Sequence, residues 1–400
     1  MNDKQRSPFT PGNPVPIEFF VGRSYQINQI MRSIEQSCSG RQQNIFLVGE
    51  RGVGKTSVAS FVRHWAINDE NVLGVHVFLG GVDNLKELVR RIFEAFVKSG
   101  QGKKWFEHVR GFFGDFIKDV GLFGVTVGFN PPQRDLTQLV RNFPQSLKKM
   151  ISELKEEVSS ILIILDDLDT LSEVEEFANW YKSAVDEIAT QFDAFPITFL
   201  LIGLPEIVDS LAQLQPSLPR IFRIIELSRL TDEEVEEFFH RTFESVGVKV
   251  DDDAMELFVK FSSGVPVIMQ EIGDAAYWFD QDKHLEQDDA LVATLSAAQQ
   301  IGRKYLDPQV YRAIRSNNYR SILRKIGMRE TPISRSFTRS GLAERLTEKE
   351  KNVLDNFLRR LRKLGVIELD REMGRGCYRF VNDIYPIYVY MEARAFLNKG

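Results

Sequence analysis

Residues 49–56 read Gly-Glu-Arg-Gly-Val-Gly-Lys-Thr and carry the strongest chemical signal in the chain. Their spacing matches the phosphate-binding pattern G-x-x-x-x-G-K-[ST]. In such a loop, backbone N–H groups point toward phosphate oxygens, and the following helix adds positive partial charge at its N-terminus. Lys55 would reach the β- and γ-phosphates of ATP, and the Thr56 hydroxyl would bind Mg²⁺. The competing interpretation is a glycine-rich turn that matches by chance.

The residues on either side of this loop favour the phosphate-binding interpretation. The apolar run Asn44–Val48 predicts a buried strand, and Thr56–Trp65 can open a helix. Glycines between them let the main chain approach phosphates without Cβ clashes. The predicted binding loop consists of Gly49, Glu50, Arg51, Gly52, Val53, Gly54, Lys55, Thr56 and Ser57.

Carboxylates follow a second apolar strand and would complete the site. Ile161–Leu165 is fully apolar and is followed by Asp166, Asp167 and Asp169. In a parallel sheet, ligands collect at the carboxyl ends of the strands. We predict that Asp166 holds Mg²⁺ together with Thr56, and that Asp167 is the base that orients the attacking water. An ordinary turn or helix cap is the alternative, and Asp167 is one methylene shorter than the glutamate that many such ATPases use.

Buried strands that alternate with amphipathic helices must position these groups. Such alternation predicts an α/β fold with a parallel sheet covered on both faces. Residues 100–132 are rich in glycine and phenylalanine, which predicts an insertion with a helix and a hairpin. The order of elements after Asp307 is helices and then a two-stranded ribbon, as in a winged helix. The predicted fold is therefore a P-loop sheet, a helical lid and a C-terminal winged-helix domain.

Length and composition set the domain organisation, since 400 residues exceed what one core usually holds. The apolar runs are too short to span a membrane, and the polar, proline-rich start lacks a signal-peptide core. Two cysteines distant in sequence favour free thiols in a cytoplasmic protein. The predicted divisions are a flexible lead-in at 1–18, an ATPase domain at 19–228, a lid at 229–305 and a winged helix at 306–400.

Charge is distributed unevenly along the chain. Residues 301–365 contain 17 lysines and arginines against 6 acidic residues, a balance of +11 within a total of −5, so the remainder carries −16. A basic segment on an acidic body predicts a local partner. DNA is one candidate, and an acidic face of the same chain or of a neighbouring subunit is another.

Three short motifs together resemble the AAA+/STAND branch of P-loop ATPases, which includes archaeal ATPases and replication initiators. They are Phe20-Val21-Gly22-Arg23, the phosphate loop at residues 49–56 together with the later segment ILIILDD at residues 161–167, and Gly264-Val265-Pro266. The resemblance covers about residues 19–279. It implies that Phe20, Val21, Gly22 and Arg23 lie near the adenine and that Pro266 marks the lid over ATP. An ordinary loop–helix junction and a proline-started helix are the alternatives.

The chain also departs from this family's pattern. The fourth-strand segment FLLIGLPE offers no polar sensor residue, and Val267 stands where many members carry an arginine. Arg220 or Arg223 could supply an arginine finger, although arginines at such positions also form surface ion pairs. These departures favour a slow, switch-like ATP hydrolase over a fast processive motor.

Two functions follow from these patterns. The first is an ATP-binding, Mg²⁺-dependent ATPase that switches conformation or self-association between its ATP and ADP forms. The alternative is a DNA-binding AAA+ ATPase in replication, transposition or defence against mobile DNA, which would use a recognition helix at about Glu348–Leu364. A winged helix can equally contact a protein, and a nucleotide can be bound for stability alone without turnover.

Overall fold

The computed structural model describes residues 6–100, 106–114, 117–120, 126–312 and 314–397. The chain divides into two compact units. One comprises Gly22–Ser228, and the other joins the N-terminal segment up to Val21 with the region from Arg229 onward. None of the described helices is long and apolar enough to cross a bilayer.

The first unit is built on a parallel five-stranded sheet with the strand order β2-β5-β6-β1-β7. Its strands are β1 Gln43–Gly49, β2 Val72–Phe78, β5 Ser160–Asp166, β6 Ile197–Gly203 and β7 Arg223–Leu227. The strands β5 and β6 are buried along their whole length, as their apolar runs predict. Because all five strands run in one direction, the carboxyl ends of β1, β5 and β6 lie at one edge of the sheet.

Helices cover this sheet and close an apolar core around it. They are α1 Ser24–Cys38, α2 Lys55–Asp69, α3 Leu85–Gly100, α5 Gln133–Arg141, α6 Phe143–Leu154, α7 Glu175–Gln191 and α8 Pro205–Leu214. A single helix is predicted over about residues 136–157, but two occur because the chain breaks at Asn142. Pro144 lies in the first turn of α6, where its missing N–H costs nothing.

The insertion contains the predicted helix and hairpin in its described parts. They are α4 Phe106–Phe113, β3 Ile117–Val120 and β4 Thr126–Phe129, and the two strands pair antiparallel. The Phe129 side chain is buried, and its ring centroid lies 6.1 Å from that of Phe93 on α3. This aromatic contact ties the end of the insertion to the core of the sheet unit.

The second unit begins with a helical region that has its own apolar core. Its helices are α9 Asp232–Glu244, α10 Asp252–Ser262, α11 Pro266–Phe279 and α12 Gln287–Ile301, and the short strands β8 Lys249–Val250 and β9 His284–Leu285 pair in parallel. The segment Thr231–Glu234 (TDEE) predicts a helix start, and Thr231 and Glu234 form a reciprocal capping box there. A π-helix, Gly302–Tyr311, follows α12.

The C-terminal part of this unit joins helices to a small antiparallel sheet with the order β10-β12-β11. Its elements are α13 Asn317–Gly327, β10 Ser336–Thr338, α14 Arg339–Glu344, α15 Glu348–Lys351, α16 Leu354–Lys363, β11 Ile367–Leu369, β12 Cys377–Phe380 and α17 Ile384–Leu397. The predicted ribbon is present as β11 and β12, but β10 adds a third strand that the sequence pattern did not reveal. The single helix predicted at Glu348–Leu364 is wrong, since a turn at residues 352–353 divides it.

The N-terminal segment differs from the flexible lead-in that its composition predicts. Phe9 is only 3% exposed and packs among the rings of Phe238 and Phe243, with centroids 5.9 and 4.9 Å away. The Thr10 N–H donates to Gln270 Oε1 at 2.6 Å. Gly273 makes room for the ring, because a Cβ there would lie 2.1 Å from Phe9 Cε1. One buried aromatic side chain thus anchors an otherwise polar stretch.

We expect Phe9→Ala to destabilise the second unit by about 3 to 5 kcal/mol, since it empties a fully enclosed aromatic position. Urea unfolding followed by the circular dichroism of the helices measures this loss. Phe279→Ala, which removes a 46% exposed ring from the same unit, is the matched control. Equal stability of the two variants would contradict an anchoring role for Phe9.

Candidate functional site

The predicted phosphate loop joins β1 to α2 and uses glycine where its backbone requires it. Gly52 and Gly54 have φ angles of +80° and +96°, a region that favours glycine. Gly49 is needed for a different reason, because a Cβ there would lie 2.8 Å from the Leu227 carbonyl oxygen. The Val53 side chain is buried, which holds the loop onto the unit.

Lys55, the first residue of α2, turns its ammonium back toward the loop. Its Nζ donates to the carbonyl oxygens of Gly49 at 2.7 Å and Glu50 at 2.9 Å. Burial lowers the pKa of Lys55, and the charges of Asp166 and Asp169 act against that shift. A cation is therefore held against the start of the loop, where it could also meet a phosphate.

Asp166 is the last residue of β5, and one oxygen of its carboxylate has two hydrogen-bond partners. Thr56 Oγ1 donates to Asp166 Oδ2 at 2.9 Å, and His76 Nε2 lies 3.0 Å from the same atom. The Asp166 side chain is only 6% exposed. A hydroxyl and a carboxylate oxygen are the donor types that Mg²⁺ takes when phosphates and water fill its other positions. The residues present therefore fit a Mg²⁺ ion bound together with phosphates.

His76 is not singled out by the sequence analysis. His76 lies on β2, which pairs with β5, and its side chain is only 7% exposed. Its ring stacks on that of Phe78, with centroids 4.4 Å apart. The available signal was a polar residue inside the apolar strand VLGVHVF, next to a strand that ends in aspartate.

Asp167 adopts an unusual backbone conformation for a residue with a side chain. Its φ angle is +65°, in the left-handed region where strain concentrates at functional sites. A Cβ on Gly80 would lie 2.9 Å from Asp167 Oδ2, so that glycine leaves space for the carboxylate. Burial raises the pKa of Asp167, and the charges of Asp169 and Asp166 raise it further. Asp169 itself accepts from Arg51 Nη2 at 3.1 Å.

These groups surround one cavity of about 460 Å³ at the carboxyl edge of the sheet. Its lining residues are Arg51, Gly52, Lys55, Thr56, Phe78, Asp166, Asp167, Asp169, Ile202, Gly203 and Leu204. The end of β6 thus contributes apolar groups, as the segment FLLIGLPE predicts. The loop and the strand-end carboxylates, 110 residues apart in the chain, meet in this space.

Other predicted residues support the loop without lining the cavity. Arg23 is buried, has a φ angle of +64° and donates from Nη2 to the Val53 carbonyl oxygen at 3.3 Å. Gly22 precedes it at the boundary of the unit. Gly49, Glu50, Val53, Gly54 and Ser57 belong to the loop or to the first turn of α2 but are not among the lining residues.

Three predicted residues are not among those that line this cavity. Val21 is buried in the core of the second unit, and Pro266 opens α11 in that same unit. Arg220 belongs to a short 3-10 helix, Leu218–Ile221, and its side chain is exposed. Since Arg220 does not line the cavity of its own chain, a finger role would require a neighbouring subunit.

Residues 20–185 match the family model described as an AAA ATPase domain. This part of the chain is an AAA ATPase domain. The matched stretch runs from the residues ahead of α1 to α7 and so contains the loop, His76 and the strand-end carboxylates.

Solved structures share the fold at low sequence identity. The ORC2 protein of Aeropyrum pernix, in ADPNP and ADP complexes, is 15% identical with a TM-score of 0.61, covering 100% of this chain and 98% of that one. A Walker-type ATPase of Pyrococcus abyssi is 16% identical with a TM-score of 0.55, covering 92% and 96%. The AAA ATPase domain therefore has an α/β P-loop ATPase fold.

A curated relative adds a more distant likeness. An uncharacterized HTH-type transcriptional regulator of Methanocaldococcus jannaschii is 22% identical over 274 residues. The alignment covers 65% of this chain and 62% of the length of that relative.

Proposed function

We propose that this protein binds ATP with Mg²⁺, hydrolyses it slowly, and uses the two nucleotide forms to switch its conformation or self-association. The observation that carries the proposal is the meeting of Lys55, Thr56 and Asp166 around one cavity. A phosphate-binding loop and a buried strand-end carboxylate have to converge in this way for a metal-bound triphosphate. The AAA ATPase family match and the shared fold support the same conclusion.

Each group around the cavity has a defined task in this proposal. Loop amides and Lys55 would bind the phosphates, and Thr56 with Asp166 would hold the metal, which neutralises phosphate charge when bound. Asp167 would orient the attacking water and hold its proton, since its carboxylate lines the same space. Arg23 would keep the loop in place through the Val53 carbonyl.

Slow turnover is supported by the groups that face the cavity. Its cationic lining residues are Arg51 and Lys55, and Arg51 is already paired with Asp169. The end of β6 presents Ile202, Gly203 and Leu204, which cannot stabilise charge on a transferring phosphoryl group. With few groups complementary to the transition state, the site favours binding over rapid chemistry.

Phosphate release by the purified protein tests this proposal. We expect slow release with Mg²⁺ and ATP, background release with EDTA, and a difference in sedimentation or protease sensitivity between the ATP and ADP forms. If the protein binds ATP but shows no metal-dependent release of phosphate, it uses the nucleotide for stability alone. Failure to bind ATP would remove the proposal altogether.

We expect His76→Ala to lower kcat by about 10-fold with a smaller change in KM, because His76 positions a metal-holding carboxylate. His64→Ala, which removes an exposed histidine bonded only locally to Asn68, is the matched control. Steady-state ATPase assays separate the two constants. If His76→Ala and His64→Ala have the same kcat, His76 is a packing residue.

A second candidate function, DNA binding, is favoured by a basic groove in the second unit. The groove has a volume of about 830 Å³ and lies between α16 and the hairpin of β11 and β12. Its lining residues are Arg359, Arg362, Lys363, Ile367, Glu368, Leu369, Arg371, Glu372 and Arg379. We infer that residues 306–400 form a winged-helix domain with α16 as recognition helix and that residues 229–305 form the lid. The HTH-type regulator among the relatives supports this inference.

The charges around α16 favour contacts with phosphates over contacts with base edges. Arg359, Arg362 and Lys363 are exposed near the C-terminal end of the helix. At its start, Asp355 accepts from Arg339 Nε at 2.6 Å, which places a carboxylate where base contacts are usually made. Binding would therefore be salt-dependent and weakly selective for sequence.

We expect the double variant Arg359→Glu and Arg362→Glu to weaken binding to duplex DNA at least about 10-fold and to flatten its salt dependence, because two phosphate contacts become repulsive. Fluorescence anisotropy across a salt series measures both effects. Arg134→Glu with Lys155→Glu makes the same charge change on exposed residues of the first unit. Wild-type protein that does not bind DNA at low salt would exclude this function.

A further inference from the structure

Helix α12 of the second unit has apolar residues on both of its faces. The inward face consists of small side chains, among them Ala290, Ala293 and Ala297, which are fully buried. The outward face carries Leu291, Val292 and Leu295, which are 42%, 44% and 48% exposed. A helix of a folded protein that is apolar all round is usually covered on both sides.

The preceding helix, which packs along α12, also exposes two aromatic side chains. Trp278 and Phe279, at the end of α11, are 51% and 46% exposed, and α11 packs along α12. We call Trp278, Phe279, Leu291, Val292 and Leu295 the lid surface. Exposed apolar groups gathered on one helical pair are typical of a protein-binding site.

Charge around the lid surface defines what it can bind. Residues 274–289 contain six carboxylates, of which only Asp280 is buried, and a single lysine. Such a rim repels nucleic acid and anionic membranes, and it attracts a partner that combines apolar and basic groups. The occupant should therefore be a basic surface with exposed aliphatic side chains.

The same chain carries a surface of that chemistry on its C-terminal hairpin. Leu369 and Met373 are 42% and 59% exposed, and Leu369 lines the basic groove together with the exposed residues Arg359, Arg362 and Arg371. We call these five residues the wing surface. We propose that the lid surface of one copy binds the wing surface of a second copy. Apolar contact would bury both sets of aliphatic groups, and the acidic rim would face the arginines.

Because the two surfaces differ, this contact is heterologous and leaves one free surface at each end of a pair. Head-to-tail addition then builds a ring or an open filament, whose size depends on protein concentration. Salt should weaken the association by screening the charges without abolishing the apolar part. No nucleotide takes part in the contact, so the proposal goes beyond the ATPase function and does not depend on it.

Sedimentation velocity of the full-length protein without nucleotide tests the proposal. The lid variant is Leu291→Ser with Leu295→Ser, and the wing variant is Arg359→Glu with Arg362→Glu. We expect the wild type to form larger species with rising concentration and each variant to stay monomeric. A mixture of the two variants retains one intact pair of surfaces and should give a 1:1 dimer and nothing larger.

Controls separate association from folding. Ile67→Ser replaces a 41% exposed aliphatic residue in the other unit and should associate like the wild type. Unchanged circular dichroism and ATP affinity in every variant show that the fold is kept. Monomeric wild type at all concentrations would overturn the proposal and assign the lid surface to a different protein. A wing variant that still associates, or a mixture that forms no dimer, would overturn it as well.

Discussion

Lys55→Ala is expected to weaken ATP binding by about 100-fold. The Lys55 ammonium is held against the loop, with Nζ 2.7 Å from the Gly49 carbonyl oxygen. Hydrogen bonds to charged groups contribute about 1.5 to 3 kcal/mol each, and 1.4 kcal/mol corresponds to a tenfold change in affinity. The ammonium would contact two phosphates of ATP. Its loss therefore removes most of the affinity for the triphosphate group.

Isothermal titration of wild type and variant with ATP measures this loss. Lys86→Ala removes an exposed lysine from α3 of the same unit and should bind ATP like the wild type. Lys55→Ala also loses two hydrogen bonds to the loop, so its unfolding midpoint should be measured alongside the affinity. Equal affinities of Lys55→Ala and Lys86→Ala would show that the cavity is not a nucleotide site.

The parts of this site that were predictable from sequence follow from local pattern. The phosphate loop is one continuous segment, and its glycines are required by backbone angles that can be inferred from spacing. The approach of Asp166 was also predictable, since the ends of parallel strands share an edge. In both cases the chemistry depends on what precedes and follows a residue along the chain.

The parts that sequence reasoning missed depend on contacts between distant segments. His76 reaches Asp166 only because β2 pairs with β5, a choice of neighbour that the strand sequences do not encode individually. Phe9 is buried because Gly273, 264 positions later, leaves space for its ring. The third strand, β10, is a three-residue segment whose partner lies about 40 residues away, too short to show an alternating pattern.

The C-terminal region shows how one local feature can mislead. An apolar stripe through Leu354, Phe357 and Leu361 suggests one continuous helix from residue 348, and those side chains are indeed buried. Yet Thr347 and Glu350 form their own capping box and make α15 a separate turn of helix. The basic groove therefore begins at α16, and its cations cluster toward the end of that shorter helix.

Asp166→Asn is expected to lower metal-dependent ATP hydrolysis by about 100- to 1000-fold, the effect of removing one preorganised electrostatic group from an active site. Asparagine keeps the shape of the side chain and an oxygen that accepts from Thr56 and His76. It lacks the negative charge that would hold the metal. ATP binding in EDTA should be nearly unchanged, and the increase in affinity on adding Mg²⁺ should disappear.

Asparagine is chosen because alanine would remove both the negative charge and the hydrogen-bond acceptor of Thr56 and His76. Asp166→Ala would leave the donors of Thr56 and His76 buried and unpaired, at about 1 to 3 kcal/mol each. Asp169→Asn is the matched control, since it removes a partly exposed carboxylate from the same cavity, and its loss should be below about fivefold. If both variants release phosphate equally in Mg²⁺, the carboxylate at the end of β5 does not hold the metal. The hydroxyl of Thr56 would then bind Mg²⁺ without a protein carboxylate behind it, and Asp166 would act only as the acceptor that fixes Thr56 and His76 in place.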